Sequence, residues 1–416
     1  MDARLLVIAD DLTGALDTGV QSARTGVRTT VVPYARIRAA LRRAGTPVLV
    51  VDTESRHLPP DQAASRVTAC VRAARAAGIE LFYKKTDSTL RGNVGAELAA
   101  MLSASGGREL FFVPALPQAG RITRAGVQIV DGVPLHESGF ARDPRDPVRG
   151  GSIASIVGSQ CTVPVVTIAR GEDPAVALER ADRPLIVAFD AETDGDLQAI
   201  AGRLATRGAP ALCAGCSGFA AFLPRLHGLR TGPSPRPVLQ PPLLVVSGSL
   251  HERSLEQLRA ADLAGMPSYE IEPAALARPG SRRSAAAAIA AHLRERGVAI
   301  VRSPASRAAP SGASGRLLRE MGRFVRMVVA AADVSTIALF GGDTAFAVVE
   351  ALGIRALEPL AEIGQGVVAC RVAGARRAAV RRDAPGRGVL HLVTKAGGFG
   401  PVDVIERIRG ALAREA

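Results

Sequence analysis

The three lysines of the chain mark the residues best suited to bind anions. Only three of the 52 basic residues are lysines, and two of them, Lys84 and Lys85, are adjacent. They lie within Tyr83–Asn93, which also holds the only asparagine, while Lys395 lies in a glycine-rich stretch near the C-terminus. Lysine offers a compact ammonium, whereas arginine offers a planar fork. We therefore expect these two places to form the halves of one site, for an anionic substrate and a phosphate donor.

Polar clusters follow three apolar runs in the first half of the chain. They occupy residues 10–11, 52–56 and 84–91, each at the end of a predicted strand. Alternating strands and helices predict a parallel sheet with helices on both faces, and ligands bind beyond the carboxyl ends of such strands. A single acid after a strand is commonly only a helix N-cap, an alternative that stays open for Asp11 and Asp87. The three clusters together favour a binding site.

A proline-rich segment without hydrophobic periodicity, residues 231–242, is typical of a linker. It separates an expected first domain, residues 1–230, from a second, residues 243–416. In the second, the stretches 247–249 and 341–344 each stand between a predicted strand and a helix. Glycine there lets backbone amides approach a phosphate, and a helix N-terminus favours negative charge. We expect a nucleotide site, with Lys395 as a mobile cation on a flexible loop, although neither a P-loop nor a dinucleotide fingerprint is present.

Composition narrows the class of partner. The net charge of +13 could suggest nucleic acid, but the arginines are scattered and aromatic residues make up only 3%, so we expect no nucleic-acid partner. Neither a signal segment nor an apolar stretch of about 20 residues is evident, which predicts a cytoplasmic protein without a membrane partner. Five cysteines argue against a disulfide framework, and the pair Cys213 and Cys216 is expected to be buried and structural. A homodimer is the default assembly.

Five ordered motifs resemble those of the four-carbon acid sugar kinases: residues 10–15, 84–92, 247–249, 341–344 and 394–400. The resemblance covers nearly the whole chain. It implies two α/β domains, each a largely parallel sheet with helices on both faces, with a ligand cleft between them. It implies a sugar-acid site in the first domain, a nucleotide site in the second, and ATP-dependent phosphorylation of the 4-hydroxyl of D-threonate, D-erythronate or 3-oxo-tetronate. The 394–400 stretch resembles the D-threonate subgroup most.

The resemblance assigns site residues by position. Substrate binding falls on Asp11, Arg56, Lys84, Lys85, Thr86, Asp87 and Ser88. Nucleotide binding falls on Ser247, Ser249, Gly341, Gly342, Asp343, Thr344, Lys395, Gly397 and Gly398. We expect Arg56 and one of the two paired lysines to hold the carboxylate, while Asp11 and Asp87 accept hydroxyl hydrogens; which lysine does so stays open. Mg²⁺ is expected without assigned ligands, and Asp87 and Asp343 are both candidate general bases.

Other functional classes remain possible from the sequence. An aldolase could use Lys84 or Lys85 as a Schiff base on the same sugar acids, whereas a dehydrogenase lacks its expected fingerprint. A two-domain binding or sensor protein would close on a sugar acid without chemistry. Such a sensor has no need of the phosphate-type loops around Gly342 and Lys395.

Overall fold

A computed structural model of the chain describes residues 3–43, 45–143, 146–179, 184–272, 276, 278–304, 313–374 and 389–412. The chain divides into two compact units, Met1–Pro233 and Ser234–Ala416. None of the helices in the described ranges is long and apolar enough to cross a membrane.

The first unit is built on an eight-stranded parallel sheet. Its strands are β1 (Leu5–Ala9), β2 (Thr29–Pro33), β3 (Val48–Asp52), β4 (Leu81–Lys85), β5 (Glu109–Val113), β9 (Val165–Ile168), β10 (Leu185–Phe189) and β11 (Leu212–Gly215), in the order β2-β3-β1-β4-β11-β5-β10-β9. Most are apolar and buried along their length, as strands covered on both faces must be. A small antiparallel sheet follows β5 and consists of β6 (Arg121–Arg124), β7 (Val127–Val130) and β8 (Val133–Pro134).

Helices connect the strands of this first sheet. They are α1 (Leu12–Ala23), α2 (Ile37–Leu41), α3 (Pro60–Ala76), α4 (Val94–Ser105), α5 (Ile153–Gly158), α6 (Ala175–Glu179), α7 (Asp194–Thr206), α8 (Ser217–Ala220) and α9 (Leu223–Leu226). Long helices return the chain between parallel strands, which the alternating sequence pattern predicts. Cys213 and Cys216 are buried free thiols, as expected, and Sγ of Cys216 lies 3.2 Å from the carbonyl oxygen of Pro114.

The second unit holds a mixed sheet. Its strands are β12 (Leu243–Ser247), β13 (Ser268–Glu270), β14 (Val298–Arg302), β15 (Thr336–Phe340), β16 (Ala356–Gly364), β17 (Val367–Gly374) and β18 (His391–Lys395), in the order β13-β14-β12-β15-β18-β17-β16. The strands β13, β14, β12, β15 and β18 are parallel to their neighbours in this run, and β17 runs antiparallel to both β18 and β16. The helices are α10 (Glu252–Leu263), α11 (Pro279–Arg296), α12 (Ala313–Ala332), α13 (Gly342–Ala351) and α14 (Val404–Gly410).

Part of the predicted linker is packed rather than extended. Leu239 is fully buried in the core of the second unit, where it forms a bridge with Leu412. The hydroxyl of Thr336 donates to the carbonyl of Gln240 at 2.7 Å. The segment from Leu239 onward therefore belongs structurally to the second unit.

Candidate active site

The three polar clusters of the first unit lie side by side. Ala9, the last residue of β1, pairs with Asp52 at the end of β3 and with Lys85 at the end of β4. The loops that follow β1, β3 and β4 therefore begin at the same edge of the sheet. The three clusters therefore lie together at the edge where α/β proteins bind ligands.

Arg56 connects three carboxylates at this edge. Its Nε lies 2.6 Å from Oδ2 of Asp10, its Nη1 lies 2.7 Å from Oδ2 of Asp11, and its Nη2 lies 3.7 Å from Oδ1 of Asp87. Burial alone would lower the pKa of Arg56, but these carboxylates raise it well above its ordinary value. Arg56 is therefore permanently charged, and its Nη2–Asp87 contact is longer than a hydrogen bond.

Asp11 serves two purposes. Its Oδ1 accepts the N–H of Gly14 at 2.7 Å and caps α1, so the N-cap alternative is confirmed. Its Oδ2 pairs with Arg56, and the side chain keeps 20% of its surface exposed. A partly exposed carboxylate held by a helix and a guanidinium is well placed to accept a hydroxyl hydrogen.

The carboxylate of Asp87 accepts hydrogen bonds from side chains of its own loop. Its Oδ2 accepts from Nε of Arg91 at 2.9 Å and from the hydroxyl of Thr89, and its Oδ1 accepts from Nη2 of Arg91 at 3.0 Å. Burial alone would raise the pKa of Asp87, but Arg91 and then Arg56 hold it well below its ordinary value. Such an anion is a weak proton acceptor. Leu90 in the same loop has a φ of +54°, a strained conformation that persists where the surroundings enforce it.

Lys84 and Lys85 are both buried and contact different helices. Nζ of Lys84 lies 3.0 Å from Oε2 of Glu97 in α4, and none of its side chain is exposed. Nζ of Lys85 donates to the carbonyl of Thr86 at 2.6 Å and lies 3.0 Å from where a Cβ on Gly14 would stand. Lys85 is thus the lysine on the α1 side, near Asp11. Lys84 forms a structural ion pair, so the geometry does not support its predicted contact with substrate.

Two carboxyl groups, those of Asp52 and Glu54, lie close to each other and to Asp11. Oδ1 of Asp52 accepts the N–H of Glu54 at 3.0 Å. Burial, and after it the charge of Asp52, raises the pKa of Glu54 to about 10. Burial raises the pKa of Asp52 to about 7. Glu54 therefore holds a proton at neutral pH, although its backbone φ of +45° is strained.

The side chain of Asn93 holds the loop that carries Arg56 in place by hydrogen bonds. Its Nδ2 donates to the carbonyls of Ser55, Arg56 and Leu58 at 3.0, 3.3 and 2.8 Å. Asn93 also precedes α4, so the Arg56 loop and the start of α4 are held together. The sequence singled out Asn93 only by its rarity.

Three loops of the second unit also begin at the same edge of its sheet. Ser247 at the end of β12 pairs with Phe340 at the end of β15, and Phe340 pairs with Lys395 at the end of β18. We call residues 247–251, 341–344 and 396–400 the first, second and third glycine loops. Gly341, with a φ of +101°, begins the second loop and is the N-cap of α13. This conformation is open to glycine and strained for other residues.

The glycine loops approach one another closely. A Cβ on Gly248 would lie 2.4 Å from Oγ1 of Thr344, and a Cβ on Gly397 would lie 3.1 Å from Oγ of Ser249. Glycine therefore brings three backbone segments together beside the N-terminus of α13. Backbone segments packed in this way at a helix N-terminus fit the phosphate groups of a nucleotide. Asp343 lies in the first turn of α13 and is exposed.

Lys395 is not the mobile cation that we expected, because its ammonium is buried beneath the third glycine loop. Its side chain donates to the carbonyls of Ala396, Gly397 and Phe399 at 3.1, 2.9 and 3.2 Å, and to Oγ of Ser254 at 3.0 Å. Burial, and after it the charge of Arg253, lowers the pKa of Lys395 to about 7. Lys395 fixes the shape of the loop, and the prediction of a flexible cation is wrong.

Two residues of α10 complete this arrangement. Oγ of Ser254 donates to the carbonyl of Gly397 at 3.0 Å, and Nε2 of Gln257 donates to the carbonyls of Phe399, Gly400 and Pro401 at 3.1, 3.0 and 2.9 Å. Lys395, Ser254 and Gln257 therefore all bind backbone carbonyls of the third glycine loop.

Sequence reasoning gave no individual role to several residues that shape the two sites: Asp52, Glu54, Arg91, Asn93, Glu97, His251, Ser254 and Gln257.

Comparison with known families assigns a class to each unit. Residues 5–223 match the family model described as a sugar-binding N-terminal domain, and residues 244–405 match the one described as a nucleotide-binding C-terminal domain. The nucleotide-binding domain and relatives named kinases define the class: a two-domain phosphotransferase that acts on a hydroxyl and uses ATP. Full-length relatives then identify the family.

The chain is 33% identical to a D-threonate kinase of Salmonella typhimurium, over 95% of both chains. It is 34% identical to a D-threonate kinase of Bordetella bronchiseptica, over 98% of this chain and 96% of the relative. It is 30% identical to a 3-oxo-tetronate kinase of Burkholderia multivorans, over 97% and 96%. The chain belongs to the four-carbon acid sugar kinase family, and the resemblance of its motifs is confirmed.

Solved structures support the fold. A crystal structure of a Salmonella typhimurium LT2 protein superimposes with a TM-score of 0.82 at 20% identity, covering 99% of this chain and all of that one. A Haemophilus influenzae protein superimposes with a TM-score of 0.72 at 22% identity, covering 97% and 99%. At these identities the similarity shows the architecture alone, which agrees with the predicted α/β class.

Proposed function

We propose that the protein is an ATP-dependent kinase that phosphorylates the 4-hydroxyl of D-threonate. One observation carries the choice of substrate: two relatives named D-threonate kinase match at 33% and 34% identity along at least 95% of either chain. A relative named 3-oxo-tetronate kinase matches at 30%. D-erythronate and 3-oxo-tetronate are therefore the next substrates to test.

On the sugar side, Arg56 and Asp11 divide the recognition of the acid. The Nη2 of Arg56 takes the carboxylate, since its contact with Asp87 is longer than a hydrogen bond. The exposed part of Asp11 accepts a hydroxyl hydrogen, with Lys85 beside it. Ser88 is half-buried at the end of the same cluster and contributes a hydroxyl. Asp87 acts through Arg56 and Arg91, which it holds in place.

On the nucleotide side, the three glycine loops hold the phosphates. The close approach of Gly248 to Thr344 and of Gly397 to Ser249 supports this assignment, because a Cβ at Gly248 would overlap Thr344 and one at Gly397 would press tightly on Ser249. No cluster of three or more metal-ligating side chains occurs among the described residues. Mg²⁺ bound to a nucleotide takes most of its ligands from phosphate and water and needs only one or two carboxylates, so no such cluster is required. When bound, the ion neutralises charge on the phosphates.

Asp343 is the stronger candidate for the general base. The oxygens of Asp87 are already occupied by Arg91 and Thr89, and its lowered pKa weakens it as a proton acceptor. We expect Asp343→Asn to lower kcat about 100-fold or more. We expect Asp87→Asn mainly to raise KM for the sugar acid. Near-full turnover of the Asp343→Asn variant would remove Asp343 from this role.

ADP release in the presence of ATP, Mg²⁺ and each tetronate tests the function. We expect D-threonate to give the highest kcat/KM, and phosphorus NMR to place the product phosphate on the 4-oxygen. Release of ADP with none of the four-carbon acids would refute the kinase proposal. Borohydride trapping of Lys84 or Lys85 would instead indicate the aldolase alternative, and tight sugar-acid binding without turnover would indicate a sensor.

A further inference from the structure

His251 lies against the third glycine loop, although no sequence motif assigned it a role. A Cβ on Gly398 would lie 3.1 Å from Nε2 of His251, and a Cβ on Gly397 would lie 3.2 Å from the Cβ of His251. The imidazole therefore sits directly on the backbone of residues 397–398. Its presence is a physical reason for glycine at both positions, since a larger residue would have to displace the ring or the loop.

The helix α10 fixes the tautomer of this imidazole. His251 is the N-cap of α10, and its Nδ1 accepts the N–H of Arg253 at 3.1 Å. A neutral imidazole that accepts a hydrogen bond at one nitrogen carries its proton on the other. Nε2 is therefore an N–H donor, and it is the nitrogen that lies at Gly398. The N-terminus of α10 adds a partial positive charge at the same place.

We propose that His251 binds a phosphate group of the nucleotide through its Nε2–H. This inference rests on the proposed function, because it requires the phosphates to lie at the glycine loops. An N–H donor and a phosphate oxygen form a charge-assisted hydrogen bond. Serine, aspartate or asparagine would satisfy the N-cap with a shorter side chain. Histidine accepts the capping hydrogen bond at Nδ1 and also places Nε2 over the third glycine loop.

Two variants separate the cap from the donor. His251→Asn keeps an N-cap acceptor but is too short to place a donor at Gly398. His251→Gln places an amide N–H near the position of Nε2 but gives up the preferred cap. We expect His251→Asn to weaken ADP binding and raise KM for ATP roughly 10- to 100-fold, with KM for the sugar acid unchanged. We expect His251→Gln to recover most of the nucleotide affinity while melting at a lower temperature than His251→Asn.

Calorimetric titration with ADP, without any sugar acid, keeps this test independent of the substrate. Wild-type ADP affinity in the Asn variant, or equal losses in both variants, would overturn the role of His251 and leave wild-type turnover of a tetronate unaffected. Conversely, failure of every tetronate as a substrate would not alter the ADP result. Nitrogen-15 NMR of the wild-type protein adds a measurement without mutation. We expect the proton on Nε2, with its resonance shifting when ADP binds; a proton on Nδ1 would refute the inference.

Discussion

Replacement of Glu54 by Gln should make the first unit more stable at neutral pH. In the folded protein burial, followed by the charge of Asp52, raises the pKa of Glu54 from 4.5 to about 10. A carboxyl group whose pKa is raised by folding favours the folded state fully below its unfolded pKa, and this contribution is lost as the pH rises towards the folded pKa. Glutamine keeps the size of the protonated side chain and a donor for Asp52, but it does not titrate.

The size of the effect follows from the pH interval. Between pH 4.5 and about pH 7.5 the unfolded chain releases the proton of Glu54 and the folded protein keeps it. Each pH unit then costs about 1.4 kcal/mol of unfolding free energy, so the whole interval amounts to at most about 4 kcal/mol. Partial exposure of Glu54 reduces this figure. The Gln variant removes the slope, and the difference between the two proteins should grow as the pH rises.

Urea unfolding followed by circular dichroism at several pH values measures this difference. Glu80→Gln is the matched control, since Glu80 is exposed in the same unit and the substitution likewise replaces a carboxyl group by an amide. The transition of the second unit should be unchanged in both variants. A Gln variant whose stability runs parallel to wild type between pH 5 and about pH 8 would show that Glu54 is ionised in the folded protein, and the raised pKa of Glu54 would be wrong.

Three further substitutions test other contacts. Lys84→Met should destabilise the protein by about 3–5 kcal/mol because Glu97 is left buried without its partner, and adding Glu97→Gln should recover most of the loss in denaturant titrations. Asn93→Ala should cost about 2–3 kcal/mol and raise KM for the sugar acid, since the Arg56 loop loses its fastening; an unchanged KM would contradict that link. Lys395→Met should raise KM for ATP about tenfold while leaving KM for the sugar acid unchanged, and equal changes in both would count against a role confined to the third glycine loop.

Much of the first site could be predicted because its parts are local in sequence. The apolar runs of β1, β3 and β4 specify buried parallel strands, and the residues just after them reach the same edge of the sheet. Arg56 and the Lys84–Ser88 run were found in this way. The sequence also marked both lysine positions by rarity before their surroundings were known.

The functions of the lysines could not be predicted, because they depend on distant partners. Lys395 is held by Ser254, which is 141 residues away in sequence, and no local pattern contains both. Lys84 is ion-paired with Glu97, which lies within a largely apolar helix. Nothing in the sequence around Glu97 indicates that Lys84 is its partner. A rare lysine indicates a constrained ammonium, but only the fold shows whether that constraint serves a ligand or the protein's own backbone.

The position of Asn93 also affects how the protein ages chemically. Asparagine is among the thermolabile residues, and this chain of 416 residues contains one. That side chain is 6% exposed, and its amide nitrogen is held by three carbonyls where α4 begins. Deamidation of asparagine slowly adds negative charge to stored proteins. In this chain it can occur only at Asn93, whose side chain is held in one conformation by its hydrogen bonds. Over long storage, asparagine chemistry should leave the charge of the folded enzyme unchanged.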